Sequence, residues 1–374
     1  MFELAILYFG IALINALYFL SGKKNNVVAL LSCAFYILFV IGKRYDGSFI
    51  AWDLGNYQVS YSDWADKQTV EIGYKFLCIF ANSFKLQFET FYMLLAATYL
   101  TAIFYFTKKI GGNLHLVLVA VMLYFVLVHF DQLRNQCAFA IMLMMVFPIS
   151  GQFNKKRIIT AYGGLLLASL FHISFIFYFL PLFMCFRYKT KTAWIFLATM
   201  IVLVILVKAT SSIGVLDTII QNFIASSDYT SERYEKYTES NANLSFLAPL
   251  SIYTVLLCAL IYWNKYIIHN KYSRPLKKNV DSDLIVNFLL FASVFVLLTT
   301  VNSVMYRYVR DVSFLIIIYL GINSAGKLSL FKNRLVIFSA TIAVCVGWFV
   351  FDIFLKGYWL DYLTHFFIND IIEL

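Results

Sequence analysis

The chain has 374 residues, of which 61% are hydrophobic, 19% aromatic and 13% charged, and its mean hydropathy is +0.77. A soluble domain carries about 25% charged residues, so too few charges are present to cover a water-facing surface, and a soluble enzyme, a fibrous protein and a disordered chain are excluded. The formal net charge of +10 reads as membrane topology and not as a nucleic-acid footprint, because Lys and Arg concentrate in cytoplasmic loops.

A helix needs about 20 apolar residues to cross the hydrocarbon core. Apolar runs at 2–20, 27–42, 88–107, 114–130, 137–150, 158–171, 173–186, 193–209, 246–264, 284–300, 311–325 and 335–354 are the candidate spans. The first run has Glu3 and no basic stretch before it, so it reads as a retained span and not a cleaved signal. Placing the 21–26 loop in the cytoplasm puts 18 of the 30 Lys and Arg inside but only Asp281 and Asp283 among the acidic residues. The reverse orientation breaks the positive-inside rule at nearly every short loop. The same rule requires 158–186 to fold back near His172, because a single span would put the basic RYKTK stretch (187–191) outside. Each half is then too short to cross, and its tip lies below the outer surface in a cavity open to water. The expected fold class is all-α: a polytopic membrane helical bundle of about twelve spans, with short re-entrant or half-spanning helices and extracytoplasmic amphipathic helices. It forms a single transmembrane domain over 1–374.

Three long segments fall outside. The first, 43–87, starts as a polar, aromatic loop and turns from Val70 into a short interfacial helix. In 210–245, Leu216, Ile219, Ile220, Phe223 and Ile224 follow a helical apolar spacing, which predicts an amphipathic helix on the bilayer. The Tyr-rich, charged stretch behind it is a candidate lid. The tail 355–374 repeats the amphipathic pattern with Leu360, Leu363, Phe367 and Ile371.

Ionisable side chains against spans are costly and mark functional sites by default. On the outer side these are Arg44, Asp46, Asp53, Glu71, His129, Asp131, Arg134, His172, Arg307, Arg310 and Asp311. Arginine suits phosphate because its planar fork binds bidentately and stays charged. Arg134 stands at the outer start of the fifth span, where helix N–H groups add positive potential; the bland alternative is an interface arginine paired with Asp131. Arg307 and Arg310 share a helix face and can clamp one diphosphate, although Arg307 and Asp311 can also simply pair. His172 lies at the hairpin tip, where apolar flanks and neighbouring cations favour the neutral form that a general base requires. Glu71 in VEIGYKF is a second candidate base. Trp52, Tyr61 and Trp64 can stack on sugar rings, or serve as belt aromatics. The six cysteines are scattered, with no CxxC pair, and no HExxH, Walker A, Ser-His-Asp order or DxD-like pair occurs. A metal site and nucleotide chemistry on the outer face are therefore not expected.

The pieces RYDG…DLGNY at 44–57, EIGY at 71–74, LRNQCAFA at 133–140, ASLFHIS at 168–174 and MYRYVR at 305–310, in that order and spacing, resemble the EpsG family within the Wzy-type polysaccharide polymerases. The resemblance covers most of the chain. It implies a metal-independent glycosyltransferase without cofactor in the bacterial cytoplasmic membrane, multi-pass, its active site facing outward. The reaction implied is the joining of undecaprenyl-diphosphate-linked oligosaccharide repeats into a surface polysaccharide. The implied partners are that lipid-linked oligosaccharide and a chain-length regulator protein, with no nucleic acid. On this reading Arg134, Arg307, Arg310 and Arg44 bind the diphosphate, His172 or Glu71 acts as base, and Asp53, Tyr57, Trp52 and Tyr306 contact sugar or acceptor. A glycan ligase using the same donor, and a lipid-linked sugar flippase or other transporter, remain as alternatives.

Overall fold

Helix α1 (Phe2–Ser21) shows what solvent the chain is built for. Its buried face carries Tyr8, Ala12, Asn15, Ala16 and Phe19, whereas Ile6, Leu13, Ile14 and Leu17 are exposed. Helix α2 (Asn26–Ile41) repeats the arrangement, with Ala29, Ser32, Cys33 and Tyr36 inside and Val27, Leu30, Leu31 and Leu38 outside. A helix facing water carries its polar residues outward. Small and polar residues inward with aliphatics outward is the arrangement that hydrocarbon surroundings favour, and the chain is a membrane protein.

The computed structural model describes residues 2–41, 52–63, 71–125, 132–146, 155–187, 190–209, 288–292, 306–323 and 331–356. Among the described residues every regular element is helical. After α2 come α3 (Trp52–Ser62), α4 (Ile72–Ser83), α5 (Phe88–Lys109) and α6 (Leu114–Ala120), the last continued by a π-helical turn at Val121–Phe125. Then follow α7 (Leu133–Met145), α8 (Lys155–Phe171), a 3₁₀ turn at Ile173–Tyr178, α9 (Phe179–Arg187), α10 (Thr190–Ala209), α11 (Tyr306–Asn323) and α12 (Phe331–Lys356). By length and composition α5 is long and apolar enough to cross a membrane, and shorter apolar helices lie at Ile6–Ser21, Asn26–Phe39, Leu114–Tyr124, Ile173–Met184 and Arg334–Val350. The figure of about twelve spans rests on the apolar runs of the sequence; 246–264 and most of 284–300 lie outside the described residues.

Two expectations change. The start of the 43–87 segment is not loop throughout, since Trp52–Ser62 is helical. Its composition (Asp, Gly, Asn, Ser, with no helical apolar spacing) hides this, and burial of Tyr57 and Tyr61 against α4 and α5 supplies what propensity lacks. Helix α7 begins at Leu133, four residues before the expected span at 137, and Arg134 stands in its first turn, at the helix start where the sequence reading put it. Helix α8 ends at Phe171, directly before His172, the position at which the sequence reading has the chain fold back.

The described residues fall into two compact units, one reaching to Ile176 and resuming at Ile317, the other running from Phe177 to Ile316. In the second, Tyr178 stacks with Phe288 at 6.0 Å and Phe196 meets Phe291 at 5.6 Å. In the first, α5 turns into α6 through Gly111, whose φ of 79° is costly for any residue with a Cβ. Asn113 then caps α6, its Oδ1 accepting from the N–H of His115 at 3.0 Å and of Leu116 at 3.4 Å.

A buried polar knot ties α1, α2 and α6. The N–H of Asn25 donates to His115 Nε2 at 3.2 Å. That nitrogen must therefore lack a proton, which places the proton on Nδ1, donating to Asn15 Oδ1 at 2.8 Å. Asn15 Nδ2 donates onward to Ser32 Oγ at 2.8 Å and to the Ile11 carbonyl at 2.9 Å. The π turn is met in the same way. Tyr8 donates its hydroxyl to the Met122 carbonyl at 2.5 Å, and Cys345 of α12 lies 3.9 Å from the Ala120 carbonyl. A widened turn frees carbonyls that lipid cannot satisfy, so other helices supply the donors. Because the His115 N–H would lose its acceptor, Asn15→Ala should destabilise the protein by about 1–3 kcal/mol, checked by thermal unfolding of the purified protein in detergent.

Candidate functional site

The site is assembled from three helices, and α3 is the first to be fixed. Tyr61 packs on Phe91 of α5 with ring centroids 5.0 Å apart, and its hydroxyl donates to the Leu86 carbonyl at 2.5 Å. Asn82 of α4 donates back to the Tyr61 carbonyl at 3.1 Å. With Tyr61 anchored, Tyr57 one turn earlier shares its face and lies against Tyr74 of α4, ring centroids 5.5 Å apart.

The second contribution is Glu71, at the N-cap of α4. Its side chain makes no capping hydrogen bond to its own helix. Its carboxylate instead accepts from Nη1 of Arg134, in the first turn of α7. Arg134 Nε also donates to the Tyr57 hydroxyl at 3.3 Å, and the guanidinium carbon lies 5.4 Å from the Tyr57 ring centroid. One cation is thus held by a carboxylate and an aromatic hydroxyl from two other helices, while its own side chain is 16% exposed. Nη2 has no hydrogen-bond partner among the described residues. Two of the three guanidinium nitrogens are thus held, and the third keeps a charged donor for an anion.

The third contribution is packing. A Cβ on Gly73 would lie 2.9 Å from the Leu170 carbonyl oxygen and 3.0 Å from the Phe171 ring. Only glycine lets α4 approach the end of α8 this closely, and the next residue after Phe171 is His172. The turn bearing Glu71 and the break bearing His172 are therefore neighbours. His172 is buried, its Nδ1 bonded to Ser174 Oγ and its ring edge-on to Phe175 at 6.3 Å. Ser174 carries no chemistry alone and was invisible as a partner in sequence; the short i to i+2 spacing through a 3₁₀ turn creates the contact.

The remaining candidates are placed less fully. Arg310 and Asp311 are both buried, in the second unit. Tyr306 and Arg307 open α11, and Trp52 and Asp53 open α3, with side chains outside the described residues. Arg44, Asp46, Trp64, His129 and Asp131 lie outside the described residues, as do the 210–245 helix and lid and the 355–374 tail.

The fold and this cluster define a class first: a helical membrane protein with a largely buried arginine oriented by helices other than its own. The chain belongs to the EpsG family, whose model matches residues 28–364. That membership places it among membrane proteins of polysaccharide biosynthesis, a family associated with polymerase-like glycosyl transfer. No curated protein and no solved structure matches it.

The geometry ranks three variants by thermal unfolding in detergent. Glu71→Ala strips Arg134 of its counter-charge and should cost about 1.5–3 kcal/mol, and Tyr57→Phe, which keeps the ring and loses only the hydroxyl, about 0.5–1.5 kcal/mol. Gly73→Ala should also destabilise, because the added methyl meets backbone that cannot rotate away.

Proposed function

We propose that the protein is a membrane glycosyltransferase that joins undecaprenyl-diphosphate-linked oligosaccharide repeats into a surface polysaccharide, working on the outer face of the bacterial cytoplasmic membrane. The observation that carries this reading is Arg134, fixed by Glu71 and Tyr57 with Nη2 uncommitted among the described residues. The excess of basic residues in the short loops of the opposite side supports the orientation.

The chemistry follows from the groups. A hydroxyl of the acceptor sugar attacks the anomeric carbon of the donor. The bond from that carbon to the diphosphate oxygen breaks, and its electron pair leaves with the lipid diphosphate. The proton of the attacking hydroxyl passes to His172. In the tautomer that accepts it, Nδ1–H donates to Ser174 Oγ and Nε2 takes the proton. Direct displacement inverts the anomeric centre.

Charge that grows on the leaving diphosphate is stabilised by preplaced cations in a site of low dielectric. Arg134 is the first, and Arg307, Arg310 and Arg44 are the further diphosphate ligands of the proposal. Glu71 is committed to Arg134, so it acts as a positioning residue and the base is His172. Asp53, Trp52 and Tyr306 contact the sugar or acceptor, and Tyr57 steadies Arg134.

The test is polymer length in cells and with purified protein. Arg134→Ala and Arg307→Ala should abolish long-chain polymer while single repeats persist on lipid, with a rate loss of at least about 100-fold, the usual effect of removing one donor to a developing oxyanion. An unchanged length distribution in both variants overturns the diphosphate assignment.

A further inference from the structure

Gln136 has no role in the account so far, and its surroundings do not explain it. It lies on α7 two residues after Arg134 and is 0% exposed. Its backbone N–H donates to the Gln132 carbonyl at 3.0 Å. Its side-chain Oε1 and Nε2 have no hydrogen-bond partner among the described residues. A carboxamide has two donor hydrogens and an acceptor with two lone pairs, and burying it unmet is costly where an apolar side chain of the same size is not.

Side chains on a helix lean toward its N-terminus, so the amide of Gln136 lies alongside the first turn of α7. That turn receives no side-chain cap from Gln132, its N–H groups have no acceptor within the helix, and it carries Arg134. Gln136 shares a face with Phe139, three residues on, whose ring meets Tyr99 of α5 at 6.3 Å. Arg134, two positions earlier, points from a different face.

Phosphate oxygens only accept hydrogen bonds from such groups, and an arginine already serves them. An amide that both donates and accepts matches a sugar hydroxyl or an acetamido substituent. We propose that Gln136 binds the sugar bonded to the lipid diphosphate, hydrogen-bonding a ring substituent of that residue and so selecting the donor. The proposal rests on the glycosyltransferase reading above.

The experiment uses the full-length protein with a polyprenyl-diphosphate oligosaccharide and with analogues lacking one hydroxyl or the acetamido group on the first sugar. Gln136→Met and Gln136→Leu are compared with the wild type. Both variants should melt at the same temperature as the wild type or higher, since an unmet buried amide is removed. Their KM for the intact donor should rise at least tenfold, and their preference for it over one of the analogues should disappear. Wild-type KM and wild-type preference in both variants overturn the proposal and leave the glycosyltransferase reading intact, the amide then being met by water. A lowered melting temperature in both overturns it as well, because the amide is then already partnered within the protein. A wild-type protein that forms no polymer from the intact donor overturns the function, and the proposal with it.

Discussion

A guanidinium cannot be left alone in surroundings that offer little water, and the first unit is organised around meeting that requirement for Arg134. Its counter-charge comes from the N-cap of α4 and its second acceptor from α3. Neither partner is on its own helix, so the cation is oriented only if α3, α4 and α7 are all in place. This makes the docking of Tyr61 on Phe91 and the close approach at Gly73 part of the site, although neither touches the arginine. The energetic logic is that of any charge near the membrane interior: the cost of desolvation is offset by a short ion pair plus hydrogen bonds, and only with all of them present.

The first unit holds two polar centres, and how fully each is satisfied separates their roles. Around His115, the acceptor at Nε2, the proton at Nδ1, and the amide of Asn15 are each matched within the protein. Such a saturated network has nothing left to offer a ligand, and it locks α1, α2 and α6 in register. The centre at the start of α7 is different: Nη2 of Arg134 and the whole amide of Gln136 are unmatched among the described residues. A structural network closes on itself, whereas a binding site keeps donors in reserve. His115 uses both ring nitrogens to hold helices together, while His172 follows the end of α8 that packs against Gly73.

Much of the architecture was legible before any coordinates. The apolar runs at 2–20, 27–42 and 88–107 reappear as α1, α2 and α5, because a membrane helix is hydrophobic all round and needs no periodicity to betray it. The helix end before His172 falls where the basic residues at 187–191 led the sequence reading to interrupt the apolar run. Helix α3 was not, since Asp53, Gly55 and Asn56 argue against a helix locally and only the packing of Tyr57 and Tyr61 overrides them. The π turn at Val121–Phe125 was equally hidden, as it depends on Tyr8, more than a hundred residues earlier in the chain, to receive the Met122 carbonyl.

The sequence by itself settled the solvent, the element type and the residues worth suspecting, because these depend on composition and on charge placed against apolar runs. It named Arg134, Glu71 and Tyr57 separately and gave them separate tasks: a phosphate ligand, a base and a sugar contact. The tertiary structure made them one unit, and it left Gln136, two residues after Arg134, buried with its amide unmet among the described residues. Side-chain partnership across α3, α4 and α7 depends on how helices far apart in the chain approach one another. That approach is set by a glycine at 73 and a tyrosine at 61, whose importance no local pattern reveals.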